Sequence, residues 1–191
     1  MIALVTAGGC TFGLSQTSMV GRVGNADDTA DLTIEQRSVE VTMVATWRRL
    51  FGYYEGGLSA YTVRERRDDQ AMEPDDLGLG DRSAVGAGYM FPLGTVTVSP
   101  FVSYSVALAE TALVGTLPDE ELSQSTLYGG PGAGVEVLLP TGGWTPYTRL
   151  GVERMRGRVL SGLFEAGAPP TGAEFTTTAI LFTVGVRGDL Y

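Results

Sequence analysis

Polar and apolar residues alternate most regularly from Val96 to Ala109, V-T-V-S-P-F-V-S-Y-S-V-A-L-A. Val96, Val98, Val102, Tyr104, Val106 and Leu108 fall on one side with Pro100 among them, and Thr97, Ser99, Ser103, Ser105 and Ala107 fall on the other. A period of two is the signature of a β-strand with one apolar face and one small polar face. The stretch is longer than the roughly 5–6 residues usual for a strand in a soluble protein, and long enough for the roughly 9–11 that a tilted transmembrane strand needs.

The same pattern recurs along the chain. Thr11 to Val23 sets Phe12, Leu14 and Val20 against Gly13, Ser15, Thr17 and Met19. Val39 to Trp47 sets Val39, Val41, Met43, Ala45 and Trp47 against Glu40, Thr42, Val44 and Thr46, and a tight connection through Leu50, Phe51 and Gly52 follows. Tyr54 to Glu65 returns with Tyr54, Leu58, Ala60 and Thr62 against Glu55, Gly57, Ser59 and Tyr61, which predicts a hairpin. Ser83 to Leu93 places Val85, Ala87, Tyr89 and Phe91 opposite Ala84, Gly86, Gly88 and Met90, then turns at Leu93-Gly94 into Val96 to Ala109. Leu127 to Leu139 sets Leu127, Ala133, Val135, Val137 and Leu139 against Tyr128, Gly130, Gly132, Gly134 and Glu136, with Pro131 in the outer set. After P-T-G-G at 140–143, Trp144 to Arg156 sets Trp144, Thr148, Leu150 and Val152 against Tyr147, Arg149, Gly151, Glu153 and Met155. The chain closes on Thr176 to Tyr191, with Ile180, Phe182, Val184 and Val186 against Thr183, Gly185, Arg187 and Asp189.

Eight strands result, joined by connections that alternate long and short. The long ones, Gly24 to Arg37, Arg64 to Arg82, the segment after Ala109 to Gln124 and Gly157 to Glu174, are polar, acidic or rich in Gly and Pro. An up-and-down barrel with both termini at one end has this rhythm. A soluble lipocalin-like barrel binding a small apolar ligand shares it, so face polarity has to discriminate. The apolar set holds Val, Leu, Ile and aromatics; the opposite set mixes small residues with Glu40, Glu55, Glu136, Arg149, Glu153, Arg187 and Asp189. Small residues and opposite charges suit the narrow, filled interior of an eight-stranded membrane barrel, where those seven residues would form a lumen charge network. Val98, Val102, Tyr104, Val106, Ile180, Phe182 and Val184 would then face lipid. A soluble sandwich with its charges toward water is the other arrangement open to this pattern.

Composition narrows the function. No run of about 18 apolar residues predicts a helical anchor, and the mean hydropathy of +0.10 fits apolar residues spread over alternate positions. The net charge of −9 disfavours nucleic acid as a partner. All 13 basic residues are Arg and His is absent, which removes imidazole as base or metal ligand. G-L-S-A-Y at 57–61 is not a G-x-S-x-G elbow, so Ser59 reads as a small interior residue. The acidic runs D-D-T-A-D at 27–31 and D-D-L-G-L-G-D at 75–81 do not have EF-hand spacing, and no metal or cofactor is expected.

Residues 1–10 are read as a signal remnant or N-terminal extension and 11–191 as a single barrel domain. Cys10 follows A-G-G, so it is a candidate lipidation acceptor, with an ordinary strand or terminal residue as the alternative.

In these features the chain resembles the small outer-membrane barrels of the OmpA/OmpX type over roughly Thr11 to Tyr191. The ending F-T-V-G-V-R-G-D-L-Y is similar to the family's C-terminal assembly signal, although Phe182, Val184, Val186 and Leu190 share a face and Tyr191 lies on the other. A bulge at Gly188 would restore Tyr191 to the lipid face. Trp47, Phe51, Tyr54, Phe91 and Trp144 near the tight turns would form an interfacial girdle. The resemblance implies a bacterial outer-membrane location and contact with outer-membrane lipid, the barrel-assembly machinery and envelope or surface proteins. It also implies a non-enzymatic structural, adhesive or surface-assembly role carried by the long loops, with a minor pore as the alternative.

Overall fold

A computed structural model describes residues 9–24, 31–66, 76–114, 121–162 and 174–189. Its strands are β1 (Gly9–Gly24), β2 (Asp31–Trp47), β3 (Leu50–Arg66), β4 (Asp76–Tyr89), β5 (Phe91–Leu93), β6 (Val96–Val114), β7 (Glu121–Leu138), β8 (Trp144–Gly162) and β9 (Glu174–Asp189). β4 and β5 are one strand interrupted at Met90. Gly88 pairs with Phe101 and Phe91 with Val98 in unbroken register on β6, while the Met90 N–H turns aside to donate to the Arg49 carbonyl at 2.7 Å.

Every strand pairs antiparallel with its sequence neighbour, and β1 pairs with both β2 and β9, so the sheet closes into an eight-stranded up-and-down barrel. Closure comes with a stagger. Followed from partner to partner, the ladder runs Leu14, Val41, Gly56, Ser83, Val106, Gly129, Arg156, Thr176 and returns to β1 at Gly24, not at Leu14. Such shear is what tilts barrel strands against the axis.

Three tight connections lie at one end. The β2–β3 hairpin pivots on Arg48 and Arg49, with Trp47 opposite Leu50. Arg48 holds a φ of 59°, rare for a residue with a Cβ, and its guanidinium lies 4.9 Å from the centre of the Trp47 ring. The turn is therefore earlier than Leu50 to Gly52, and Leu50 and Phe51 belong to β3. Gly94 (φ 65°) turns β5 into β6; Gly142 (φ 79°) and Gly143 (φ 104°) turn β7 into β8.

At the opposite end the strands run further than their composition indicates. Residues 31–37, 64–66, 76–82, 110–114, 121–124, 157–162 and 174, expected in the long loops, are strand. The reason is that a strand emerging from an apolar surroundings has water on its outer face, so its outward residues become polar and the alternation fades although the ladder continues. The β7–β8 ladder is irregular in two places, with a register shift between Ser125 and Thr126 and a gap further along. β7 pairs with β8 at Gly129 and again at Gly132, with no pairing at Gly130 or Pro131, because Pro131 has no N–H to donate. β1 starts at Gly9, so Gly9 and the exposed Cys10 are part of the first barrel strand. Residues 1–8, Leu190 and Tyr191 lie outside the described residues, as do 25–30, 67–75, 115–120 and 163–173; these take in the acidic run at 27–31 except Asp31, whereas of the run at 75–81 only Asp75 is outside and the rest is β4.

Candidate functional site

The interior is built by strand parity. Along each strand the residues facing inward are alternate ones, and the staggered ladder brings charged members of different strands to one level. Arg82 donates to Glu40 at 3.0 Å and to Glu153 at 2.6 Å. Arg149 donates to both oxygens of Glu55 at 2.7 Å and to Glu136 at 2.8 Å. Arg187 grips Glu136 with two nitrogens, at 2.8 and 2.5 Å. All seven side chains are buried.

Hydroxyls complete the carboxylates. Thr17 and Ser38 each donate to Glu40 at 2.8 Å, Ser105 to Glu153 at 2.7 Å and Thr42 to Glu55 at 3.4 Å. Aromatic rings lie against the guanidiniums: Arg149 lies 4.3 Å from the Tyr53 ring and 4.9 Å from Phe101, and Arg187 lies 3.9 Å from Tyr147. Charges removed from water are tolerable only with this degree of pairing and hydrogen bonding.

The rings have room because their partners are glycines. Tyr53 is the register partner of Gly86 and Tyr147 of Gly185; a Cβ on Gly86 would come within 2.3 Å of the Tyr53 ring, and one on Gly185 within 2.6 Å of Tyr147. Apolar clusters fill the rest. Val44, Phe51, Tyr53 and Phe101 pack toward the tight-turn end, and Met19, Ala107, Ala109, Tyr128, Met155, Ala179 and Leu181 toward the other. A gap bordered by Tyr53, Glu55, Arg82, Phe101, Arg149 and Glu153 has about the size of one water molecule.

Of the residues singled out in the sequence, Glu40, Glu55, Glu136, Arg149, Glu153 and Arg187 meet in this network. Asp189 pairs through its backbone with Thr11, and its side chain lies outside the described set. Arg82 was missed. It sits in the run R-E-R-R-D-D-Q-A-M-E-P-D-D-L-G-L-G-D-R, whose composition is that of a loop, although it falls in phase with Ala84, Gly86 and Gly88. Phe51 is a correction: it is 4% exposed, stacked inside against Tyr53 at 6.2 Å, and does not belong to the girdle. Its parity with Tyr53 and Glu55 carries that signal once the turn is placed at Arg48-Arg49.

The outer face is the inverse. Val102, Tyr104, Val106, Ile180, Phe182 and Val184 are exposed, and Val98 is half-exposed on the same face. Trp47, Tyr54, Phe91 and Trp144 are exposed near the tight turns. From these aromatics upward, the first outward charge is Arg37 on β2, Asp81 on β4 and Arg154 on β8. Trp47 to Arg37, Phe91 to Asp81 and Trp144 to Arg154 are equal separations, and each matches the roughly 9–11 residues of a membrane-crossing strand. A lipocalin-like interior is thereby excluded, since ions line the inside and apolar side chains the outside.

No family model matches the sequence, and no curated protein matches it. Solved structures do. OprG, an outer membrane protein of Pseudomonas aeruginosa, superimposes with a TM-score of 0.63 at 5% identity over 97% of this chain and 98% of that one. The outer membrane protein AlkL, determined in lipid bilayers, gives 0.54 at 11% over 100% and 93%. Neisserial surface protein A gives 0.50 at 12% over 94% and 97%. The chain therefore has the fold of the small outer-membrane β-barrels.

Proposed function

We propose that the protein is a non-enzymatic barrel of the bacterial outer membrane whose closed interior serves as a rigid plug and whose long connections carry a structural, adhesive or surface-assembly role. The observation that carries this reading is the inversion of polarity, with a charge-free apolar band of membrane-crossing length around a core of ion pairs. Contact with outer-membrane lipid and with the barrel-assembly machinery belongs to the same proposal, as do envelope or surface proteins as partners. Transport is opposed by the filled lumen, in which Arg149 and Arg82 span the bore between carboxylates on several strands. Against catalysis at the interior Ser59, that hydroxyl is buried and accepts a hydrogen bond from Gln36 at 2.8 Å, and the sequence has no His to serve as its base. Among the described residues no cluster of acids or Cys has the arrangement to hold a metal ion.

Planar-bilayer recording on the refolded protein tests the plug. The expected result is no steady single-channel conductance. Steady single-channel conductance would replace the plug with the minor pore.

A further inference from the structure

The outer face of β8 carries Arg154, Arg156 and Arg158 on successive outward positions, all exposed. This is unusual for the molecule. The chain is strongly acidic overall, and the other arginines described in β4, β8 and β9 (Arg82, Arg149 and Arg187) are sealed inside against carboxylates. Arg154 stands opposite Thr178 on β9, and Arg156 opposite Thr176 on β9 and Gly129 on β7. None of these is an acid. Only Arg158 has an acidic register partner, Glu174. Asp81, also outward, is on β4, separated from β8 by β6 and β7.

Like charges two residues apart on one face repel, and each pays for being held there unless an anion lies between them. Arg154 closes the apolar band above Trp144, so its guanidinium and that of Arg156 reach the level at which a bilayer turns from hydrocarbon to headgroup. Outward positions on one strand repeat about every 7 Å, a step that one phosphate group can bridge. Guanidinium forks match phosphate oxygens bidentately, and the small neighbours Gly129, Thr176 and Thr178 leave the approach open. We propose that Arg154 and Arg156 form a binding site for the phosphate groups of a membrane lipid, clasped against the outside of β7, β8 and β9.

The proposal rests on the barrel spanning a membrane, so insertion is measured first. The protein is placed in phosphatidylcholine nanodiscs, with heat-modified gel mobility as the sign of a folded barrel; failure to insert would sink the membrane reading itself. Diphosphoryl lipid A and its dephosphorylated form are then titrated, and bound lipid is counted by native mass spectrometry. Wild type should retain the phosphorylated lipid in preference. The R154Q/R156Q variant should insert equally and bind it at least about tenfold more weakly, while R37Q, on the distant strand β2, should bind as wild type. Equal retention by wild type and R154Q/R156Q, or no preference for the phosphorylated form, would overturn the site. Displacement of the lipid by millimolar inorganic phosphate alone would assign the site to soluble anions and overturn its lipid character.

Discussion

Arg149 and Arg154 lie on one strand, five positions apart, and share a side chain but not a fate. Arg149 points into the bore, where Glu55, Glu136, Tyr53 and Phe101 enclose it; Arg154 points outward, beside Thr178. Odd or even position along a strand decides which solvent a residue meets, and here the two solvents are a packed polar interior and the surroundings of the barrel. The comparison also explains why the interior is acidic in balance yet stable in geometry. Among the described residues, Glu40, Glu55, Glu136 and Glu153 face Arg82, Arg149 and Arg187, and Glu136 is shared between two arginines.

The comparison breaks most severely at Arg149. Its replacement in R149M strips Glu55 of its only described ionic partner, and removing one member of a buried pair costs about 3–5 kcal/mol. Urea unfolding in detergent or bilayers, followed by tryptophan fluorescence, should show that loss; an unchanged midpoint would mean that the ion pairs do not hold the interior. Next comes the outer wall. Val102 is 64% exposed in the middle of the apolar band, and V102R should cost about 2–4 kcal/mol and block insertion. The adjacent S103R puts the same charge on the lumen side beside the small interior gap, so it should insert and then unfold more readily. Identical behaviour of the two variants would contradict the assignment of faces.

Smaller effects sharpen the picture. G185V places branched carbons where the Tyr147 ring lies, and overpacking of this kind costs about 1–3 kcal/mol. Combining it with Y147A should recover part of the loss, whereas independent, additive losses would show that the ring and the glycine are not coupled. At the edge of the apolar band R154Q should change stability in neutral lipid by about 0–1 kcal/mol, measured by the same unfolding assay. A loss as large as that of R149M would place Arg154 in the core.

Much of this was legible in the alternation. β6 shows it plainly because, apart from Pro100 and Phe101, Val, Tyr and Leu alternate with Ser, Thr and Ala, and the interior positions of Glu40, Glu55, Glu136, Arg149, Glu153 and Arg187 follow from the same count. What escaped lies where one of the two solvents changes. Beyond the apolar band both faces of a strand can be polar, so 76–82 looks like loop, and Arg82 is lost in it although it links Glu40 to Glu153. At the other end, a turn made of Arg48 and Arg49 carries no Gly or Asn to announce its positive φ. Misplacing it by two residues left Phe51 on the wrong side. The pairing of particular acids with particular arginines depends on the stagger of the closed barrel, which no single strand encodes.

The central claim is that the outward apolar band lies in lipid with its aromatic edge at the interface. The chain's two tryptophans, Trp47 and Trp144, are 61% and 63% exposed and both sit at that edge. Quenching of their fluorescence by brominated phosphatidylcholines, with bromine placed either near the headgroup or near the chain end, reads their depth without any substitution. The account predicts strong quenching by the shallow bromines and weak quenching by the deep ones; no quenching at either depth, in a protein that stays folded in water, would contradict it.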